Sequence, residues 1–447
     1  MPNRVLMPDL STFNTQMHLP RLIHFIFPLV LAGSLLQGQA PARALQLDEV
    51  IRLALINNKS IVLSSLEIER AKSLLRWSGR LDNPELEFSG GKDNLGLNEG
   101  ENSFKITFAQ KYPFTTRLRD EKNLRRAQVV MAEAELVEHQ RQLAAEVAEI
   151  FLNQVASQRR NLHQREHAQL QISMANLLRT LEKRGEASML DLAQAELEVR
   201  HIKQKGLIFE AGLHRHRLQL NQILGLKPES QTTVNHSLSL PSKAPNQRIP
   251  LTNILRRRPD HVLALSSIDT AGMALNLEKA KRWEDIVLRV FVEKERSTDE
   301  PIGLENNTFG GIGFSIPLPL RQKNEGGIEQ AEIDGRIAQQ VAAALRFNIQ
   351  AEYESAYRQR LDAWQIAFDA NNKILQLAKK NYDNFRMAYL DGQVSLLEVQ
   401  RAQEKLMELE HDALEATIQY HQAEIHLRKV TGDFPMQETA NKPANKQ

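Results

Sequence analysis

The chain has 447 residues, of which 57 are Lys or Arg and 55 are Asp or Glu, so its charge gives no indication of a polyanionic partner such as nucleic acid. It has no cysteine, which excludes a disulfide framework, a thiolate metal site, a cysteine nucleophile and a lipid-modified cysteine. Beyond the N-terminal region, no run approaches the roughly 18 apolar residues that a membrane-spanning helix needs. If the mature protein crosses a membrane, it must therefore use strands.

The first 44 residues have the form of an export signal. Arg4 and Arg21 precede an apolar run over residues 22–36, and Ala42-Arg43-Ala44 supplies a small-x-small cleavage pattern. A retained membrane anchor is the alternative, but a run of about 15 residues is short for one. We therefore expect a signal peptide over residues 1–44 and a mature chain that works outside the cytoplasm.

Residues 45–228 predict a first structural repeat. A helix from Leu45 to Trp77 precedes two segments with alternating apolar and polar residues, which predict a β-hairpin over residues 84–112. A second helix, from Thr116 to Lys183, has no proline or glycine, and from Val130 to Leu162 its apolar residues recur at heptad-like steps. Such a helix is about 100 Å long, too long for one globular core. The chain then turns near Gly185 and returns as another helix.

The same order of elements recurs after a connector over residues 229–249 that is rich in Ser, Pro and Asn. The second repeat, residues 250–432, begins with a helix from Leu251 to Lys281. A β-hairpin over residues 286–317 follows, with a predicted loop from Glu295 to Asn307, and then a second long helix that turns near Gly392 and returns. Residues 433–447 are expected to form a disordered tail. The chain is thus mainly α with a small β part and a two-fold internal repeat.

The repeat gives one chain four strands whose apolar face its own long helices cannot cover, because they run away from it. Such hairpins would aggregate in water, and their unpaired edges are not tolerated in hydrocarbon. Closure with strands from other chains solves both problems, giving eight strands from two chains or twelve from three. Small and polar residues expected to face a wet interior are Thr107, Gly311, Gly313 and Ser315. The alternative is a soluble β-layer packed on the helices.

The order and duplication of several short motifs resemble those of TolC-type outer-membrane efflux proteins over about residues 45–432. The first motifs are Leu47-Asp48-Glu49-Val50, Asn83-Pro84-Glu85-Leu86 and Arg258-Pro259-Asp260. The turn motifs are Arg184-Gly185-Glu186-Ala187-Ser188-Met189-Leu190-Asp191-Leu192 and Tyr389-Leu390-Asp391-Gly392-Gln393-Val394-Ser395-Leu396-Leu397-Glu398-Val399. In detail the chain is most similar to the heavy-metal cation branch of this family.

The resemblance implies a homotrimer whose hairpins form a 12-stranded outer-membrane β-barrel continuous with a periplasmic α-helical barrel. It also implies a periplasmic adaptor (membrane fusion) protein, outer-membrane lipid and, indirectly, an inner-membrane RND-type or ABC pump as partners. No cofactor and no nucleic-acid partner are expected. Two features depart from the family pattern. Many relatives carry a lipid-modified cysteine that this chain lacks, and Trp283-Glu284-Asp285 stands where a proline often enters the third strand.

A passive conduit needs a gate and a docking surface rather than catalytic groups. Both turns place an acid six residues after the turn glycine, Asp191 in the first and Glu398 in the second. Three copies of an acid around a narrow axis would favour cations and repel one another. The resemblance places constricting acids in the second turn, where Glu398 matches and Arg401 replaces the next acid. We expect Glu398 and Arg401 to pair within or between chains and to hold the entrance shut; the alternative is two solvated surface charges.

Two further sets of residues have expected roles. The adaptor is expected to dock at the turns through Gly185, Ser188, Gly392 and Ser395, whose alternative or additional role is ordinary helix capping. The transitions from strand to helix are expected at Pro113, Pro317 and Pro319.

Several motifs of other protein classes lack their usual context. His163-Gln164-Arg165-Glu166-His167 fits a zinc-peptidase pattern, but it flanks a heptad position of a long charged helix without a clear third ligand. The pairs His214 with His216 and His421 with His426 lack the spacing of four that places two ligands side by side on a helix. Arg256-Arg257-Arg258 is interpreted as a feature of a helix end.

The resemblance implies the outer-membrane exit duct of a tripartite efflux system, a transport protein and not an enzyme. An outer-membrane component of type I protein secretion competes within the same class. A periplasmic adaptor or coiled-coil structural protein is the rival of another class, and it should carry one helical hairpin flanked by glycine-rich β modules instead of two such hairpins. A zinc peptidase is a distant third.

Overall fold

A computed structural model describes residues 44–92, 100–299 and 303–435, and the predicted signal peptide lies outside them except for Ala44. The two repeats contain the same kinds of element in the same order. Those of the first are α1 (Leu47–Asn57), α2 (Lys59–Trp77), β1 (Glu85–Lys92), β2 (Asn102–Tyr112), α3 (Arg117–Lys183) and α4 (Met189–Ile223). Those of the second are α5 (Leu251–Arg257), α6 (Pro259–Ala280), β3 (Ile286–Asp299), β4 (Gly303–Ser315), α7 (Glu325–Asp369), α8 (Leu375–Leu390) and α9 (Leu396–Thr431).

Each repeat begins with two helices where the sequence predicted one. At Asn58 the backbone is extended, with φ −72° and ψ 125°, and the Asn58 side chain caps α2 by accepting from the amide of Ser60 at 2.9 Å. At Arg258 the backbone is also extended, with ψ 114°, because a residue before proline is restricted away from the helical region. The prediction of single helices was therefore wrong at both positions.

The predicted long helix of the first repeat is confirmed as α3, which runs for 67 residues without interruption. Its middle third is the core of the repeat: Ala144, Ala148, Phe151 and Val155 are buried against α1 and α4. The two ends of the predicted heptad face are not buried as expected: the side chains of Val130 and Leu162 are about half exposed. The heptad pattern thus identifies the packing face correctly only where α1 and α4 cover it.

The matching helix of the second repeat is interrupted. Residues Ala370–Ile374 form one π-helical turn between α7 and α8, which the sequence analysis did not predict. There the Asn371 amide donates to the carbonyl of Ala367 at 2.8 Å and to the Thr417 hydroxyl on α9 at 3.0 Å. A side chain that inserts between the main chain and a neighbouring helix is a recognised cause of such a bulge.

The four strands form one antiparallel sheet in the order β1-β2-β3-β4, so the two hairpins join through β2 and β3. Residues directly opposite one another share a face, and Leu86 lies opposite Phe108, Phe108 opposite Val290, and Val290 opposite Ile312. The same face carries further apolar side chains, all exposed: Phe88, Phe104, Ile106, Leu288, Val292 and Phe314. In the described chain β1 and β4 are edge strands.

The opposite face of the sheet carries both polar and apolar side chains, and the surroundings of Gly311 there differ from the expected ones. Lys105 pairs with Glu293 at 3.1 Å on this face, and Thr107 is buried. Gly311 lies opposite Phe291, and a Cβ on Gly311 would come within 2.6 Å of the Phe291 ring. The ring of Phe291, on the neighbouring strand β3, therefore fills the space beside Gly311. Gly311 does not face a water-filled interior as expected.

The two strands of the second hairpin are longer than predicted, and its loop is shorter. The ladder of β3 and β4 continues through Arg296 opposite Asn306 and Thr298 opposite Leu304, inside the predicted loop. Polar side chains dominate this part, so the apolar alternation that located the strands stops before the main-chain hydrogen bonds do. The prediction of a loop from Glu295 to Asn307 was wrong for all but its centre.

The connector runs along α7 and is held by a stripe of side chains from that helix. The indole N–H of Trp364 donates to the carbonyl of Pro241 at 3.0 Å, and the hydroxyl of Tyr357 donates to the carbonyl of Asn246 at 2.9 Å. The amide of Ile249 donates to the Tyr353 hydroxyl at 2.7 Å.

None of the helices in the described residues combines the length and apolarity needed to cross a bilayer.

Candidate functional site

The first helical turn is built on a glycine and a serine. Gly185 follows α3 with φ +76°, in the left-handed region that glycine adopts without strain. Ser188 then caps α4 by accepting from the amide of Leu190 at 3.1 Å. Asp191 lies exposed in the first turn of α4, where the helix dipole favours an acid.

The second turn repeats this plan with an added contact. Gly392 has φ +72°, and Ser395 caps α9. The Glu398 carboxylate closes a capping box, accepting from the Ser395 amide at 2.7 Å and from the Ser395 hydroxyl at 2.9 Å. The backbone hydrogen bond from Ser395 is the main reason that the pKa of the Glu398 carboxyl falls below its usual range. The capping role considered for both serines is confirmed.

The expected pair of Glu398 and Arg401 does not form inside one chain. Across the described residues Arg401 has no ion pair, and the Glu398 carboxylate is taken by Ser395. The charge of Arg401 makes only a minor contribution to the lowered pKa of Glu398. The structure places both side chains on the exposed surface of the first two turns of α9, and a pair between chains stays a prediction.

The two turns lie against each other. Leu396 at the start of α9 packs on a small cluster of α3 and α4 that is centred on Ala175, Leu178 and Ala195. Around this contact, several apolar side chains of the turns are exposed: Met189, Leu190, Leu390 and Leu397. Exposed apolar side chains on a polar helical tip are typical of a surface that meets another protein.

The opposite end of the long helices is the junction with the sheet. Pro113 follows β2 directly, and Pro317 and Pro319 follow β4, where proline cannot continue the strand. Arg117 at the start of α3 binds Asp285, just before β3, at 2.5 Å, which ties the two repeats together. Beside this pair the rings of Phe114 and Trp283 meet edge to face, with centroids 5.6 Å apart.

Sequence analysis missed an ionic cluster around the buried side chain of Arg258, within the second repeat. Arg258, interpreted only as part of a helix end, binds Asp260 at 2.5 Å and Glu352 of α7 at 2.8 Å, and it donates to the carbonyl of Val430 at 3.2 Å. Burial opposes the charge of Arg258, but the bonds to Asp260 and Glu352 outweigh it and raise the pKa of the guanidinium. Burial likewise raises the pKa of the Asp260 carboxyl, and Arg258 more than reverses this effect. Arg258 therefore fastens α6, α7 and the end of α9.

The histidines are spread along the helices. His163, in the zinc-peptidase pattern, stacks on His411 with ring centroids 6.0 Å apart. His421, on α9, packs on His236 of the connector, and burial lowers the pKa of His421 to about 4, with a further contribution from His236. Among the described residues no group of three or more His, Cys, Asp or Glu side chains is arranged to hold a metal ion.

Comparison with known proteins agrees with this arrangement. The sequence profile of the outer membrane efflux protein family matches residues 50–226 and 251–433, one segment in each half of the chain. The cation efflux system protein CusC of Escherichia coli O6:H1 is 23% identical over 418 residues, covering 87% of this chain and 86% of CusC.

Solved structures share the fold. A crystal structure of CusC, at 19% identity, superposes with a TM-score of 0.68 and covers 87% of this chain and 92% of its own. The outer membrane protein VceC of Vibrio cholerae, at 14% identity, also gives 0.68 and covers 86% of this chain and 96% of its own. Because the family profile spans most of the sequence and its two matched segments follow the internal repeat, this chain belongs to the outer membrane efflux protein family.

Proposed function

We propose that this chain is one of three identical subunits of an outer-membrane exit channel. The sheet carries the proposal: its apolar face is exposed, its two outer strands are edges, and its opposite face carries charged and small side chains. An open sheet with an apolar face is unstable in water and in lipid alike, and pairing β1 of one subunit with β4 of the next removes both edges. Three subunits supply twelve strands, enough for a barrel with a lumen.

The helices continue the same conduit on the periplasmic side. Each subunit contributes its long helices to a helical barrel, and the exposed turns at Gly185 and Gly392 form the far end. There a periplasmic adaptor docks on the turns, with Ser188 and Ser395 fixing their shape, and links the channel to an inner-membrane RND-type or ABC pump. The pump supplies the energy, and the channel conducts passively.

The gate of this channel lies at the second turn. Glu398 is fixed by Ser395 and faces solvent, and Arg401 lies one turn further along the same helix without a partner in the described chain. In a trimer, Arg401 of one subunit and Glu398 or Asp191 of the next close the entrance by ion pairs around the axis. Opening then requires these charges to separate.

Heavy-metal cations are the proposed substrates. The similarity to a cation efflux system protein supports this class, as do the acids at both turns, which favour cations at a narrow entrance. Secretion of polypeptides is the alternative within the same architecture. A strain lacking this gene should become sensitive to silver, copper or zinc salts and keep its secreted proteins; loss of protein secretion with unchanged metal tolerance would favour the alternative.

A further inference from the structure

The apolar stripe on the outer face of the sheet does not end where β4 ends. β4 stops at Ser315, and the chain continues in an irregular segment with prolines at positions 317 and 319. Every second side chain from β4 through this segment is apolar and exposed: Ile312 75%, Phe314 74%, Ile316 45%, Leu318 64% and Leu320 79%. The stripe therefore passes the last hydrogen-bonded residue of the strand and reaches the junction with the helices.

Basic side chains stand directly at the end of this stripe. Arg321 and Lys323 follow Leu320, and Arg282 lies across the junction; all three are exposed and have no ion pair within the described residues. Their neighbour Lys281 is paired with Glu278 at 2.6 Å. The site thus has three free cations next to exposed apolar side chains.

These groups line two neighbouring cavities. A cavity of about 410 Å³ is lined by Arg282, Trp283, Leu318, Pro319, Leu320 and Lys323. A neighbouring cavity of about 510 Å³ adds Arg321, with one exposed acid, Glu284, at its wall. Trp283 is held in place by its edge-to-face contact with Phe114. The cavity combines an aliphatic floor, a fixed indole and cations at the rim.

This combination matches the chemistry of a lipid at the membrane surface. Tryptophan concentrates at the boundary between acyl chains and head groups, and Lys and Arg extend from apolar surface toward phosphate. Clustered Lys and Arg side chains beside a membrane attract anionic head groups by about 1 kcal/mol each, or about fivefold in affinity per cation. A nucleic acid would leave the apolar floor unused, and a metal ion would find no carboxylate or imidazole pair there.

We propose that this junction binds an anionic glycerophospholipid of the periplasmic leaflet, with the phosphate on Arg282 and Lys323 and an acyl chain on Leu318 and Leu320. The inference rests on the proposed function, because it requires the sheet to lie in the outer membrane. A lipid fits better than a second subunit, since the stripe continues the outward face of the sheet and not the hydrogen-bonding edge of β4.

The fluorescence of Trp283 tests the site directly. In a Trp77→Phe/Trp364→Phe background Trp283 is the remaining tryptophan of the sequence. The full-length chain is reconstituted into vesicles in which either phosphatidylglycerol or phosphatidylcholine carries brominated acyl chains, which quench an adjacent indole. Phosphatidylglycerol should bind beside Trp283 at least about 25-fold more tightly than phosphatidylcholine, with about fivefold from each of the two cations on its phosphate. Arg282→Gln/Lys323→Gln should lower this ratio about 25-fold.

The matched control removes the same charges elsewhere. Arg346→Gln/Lys380→Gln changes one Arg and one Lys that are exposed on α7 and α8, and it should leave the lipid preference unchanged. Native mass spectrometry gives a second measurement. Phosphatidylglycerol should remain bound to the unmodified chain after delipidation and should be absent from the Arg282→Gln/Lys323→Gln variant.

Conductance separates failure of this site from failure of the channel. If the same preparation passes current in a planar bilayer but Trp283 shows equal quenching by both lipids, the lipid site is refuted and the channel stands. Absence of quenching by either lipid in a conducting channel would mean that a neighbouring subunit or another protein covers the cavity, which also refutes it. A preparation that neither inserts nor conducts refutes the proposed function itself.

Discussion

The Arg258 side chain joins α6, α7 and the end of α9, and its removal should destabilise the protein. Arg258→Ala leaves Asp260 and the carbonyl of Val430 without their buried cation, and the expected loss is about 3 kcal/mol, since breaking one partner of a buried pair leaves the other uncompensated. Arg257→Ala is the control, because that side chain is mostly exposed and lies 3.9 Å from Asp433. Thermal unfolding of the two variants measures the difference; equal midpoints would contradict the assigned role.

Glu398 and Arg401 should control the resting current. Glu398→Ala and Arg401→Ala are each expected to raise the conductance of the closed channel severalfold, because either change removes one partner of the proposed ion pair between subunits. Glu404→Ala, an exposed acid on the same helix, is the control and should behave as the wild type. Wild-type conductance in both variants would remove the gate from this position.

The same gate has a predicted pH dependence. Ser395 lowers the pKa of Glu398 below its ordinary value of 4.5, so the carboxylate remains ionised until the pH falls through that lowered value. Acid should therefore open a Glu398-dependent gate only below about pH 4.5. Opening at pH 6 that disappears in Glu398→Ala would contradict this sign.

His421 should make the contact between connector and α9 sensitive to acid. Its folded-state pKa of about 4 lies below the ordinary 6.5, so the unfolded chain binds the proton more readily between these values. Stability should be complete above pH 6.5 and fall as the pH drops toward 4. His421→Phe should flatten this slope, whereas replacing the exposed His426 by Asn should not; identical slopes in all three proteins would argue against the buried imidazole.

At the scale of elements, the turn glycines separate capping from docking. Gly392 has a positive φ and open space where a Cβ would point, so Gly392→Ala costs only backbone strain, about 1 kcal/mol, and Asn should restore part of it. If the adaptor docks on the bare turn, both Gly392→Ala and Gly392→Asn should lose efflux. If efflux instead follows the stability of the variants, with Gly392→Asn more active than Gly392→Ala, helix capping is the only role of Gly392. Gly206→Ala, on an open helical surface, controls for an added methyl group.

Much of the element order was predictable because it depends on local signals. Periodicity over Thr116–Lys183 located α3, and alternation located all four strands. The π-helical turn was not predictable, since it depends on Asn371 reaching Thr417 of another helix. The true ends of β3 and β4 were missed because main-chain pairing continues where the side chains become polar.

The candidate site was predictable to a smaller extent. The capping roles of glycine and serine at both turns could be predicted from the sequence, because capping is a contact between residues that are close in the sequence. Arg258 was missed because its partners Glu352 and Val430 lie 94 and 172 residues away in the sequence. Its one local signal was the acid two positions later, Asp260, which the bidentate contact uses.

In the whole molecule, the proposed channel requires neighbouring subunits to complete the sheet. A single chain holds four strands with an exposed apolar face. In the proposed channel, lipid covers that face and neighbouring copies pair with the edges of β1 and β4. In the proposed trimer, Glu398 and Arg401 of different chains lie around one axis. The proposed gate, lipid site and docking turns therefore require the assembled trimer.

The most direct test is to measure, on one purified preparation of the full-length protein, the number of chains per particle and the current through a planar bilayer. The proposed channel should form particles of three chains that insert into the bilayer without a partner protein and conduct in discrete steps. A monomer that stays in solution without detergent and passes no current would contradict it.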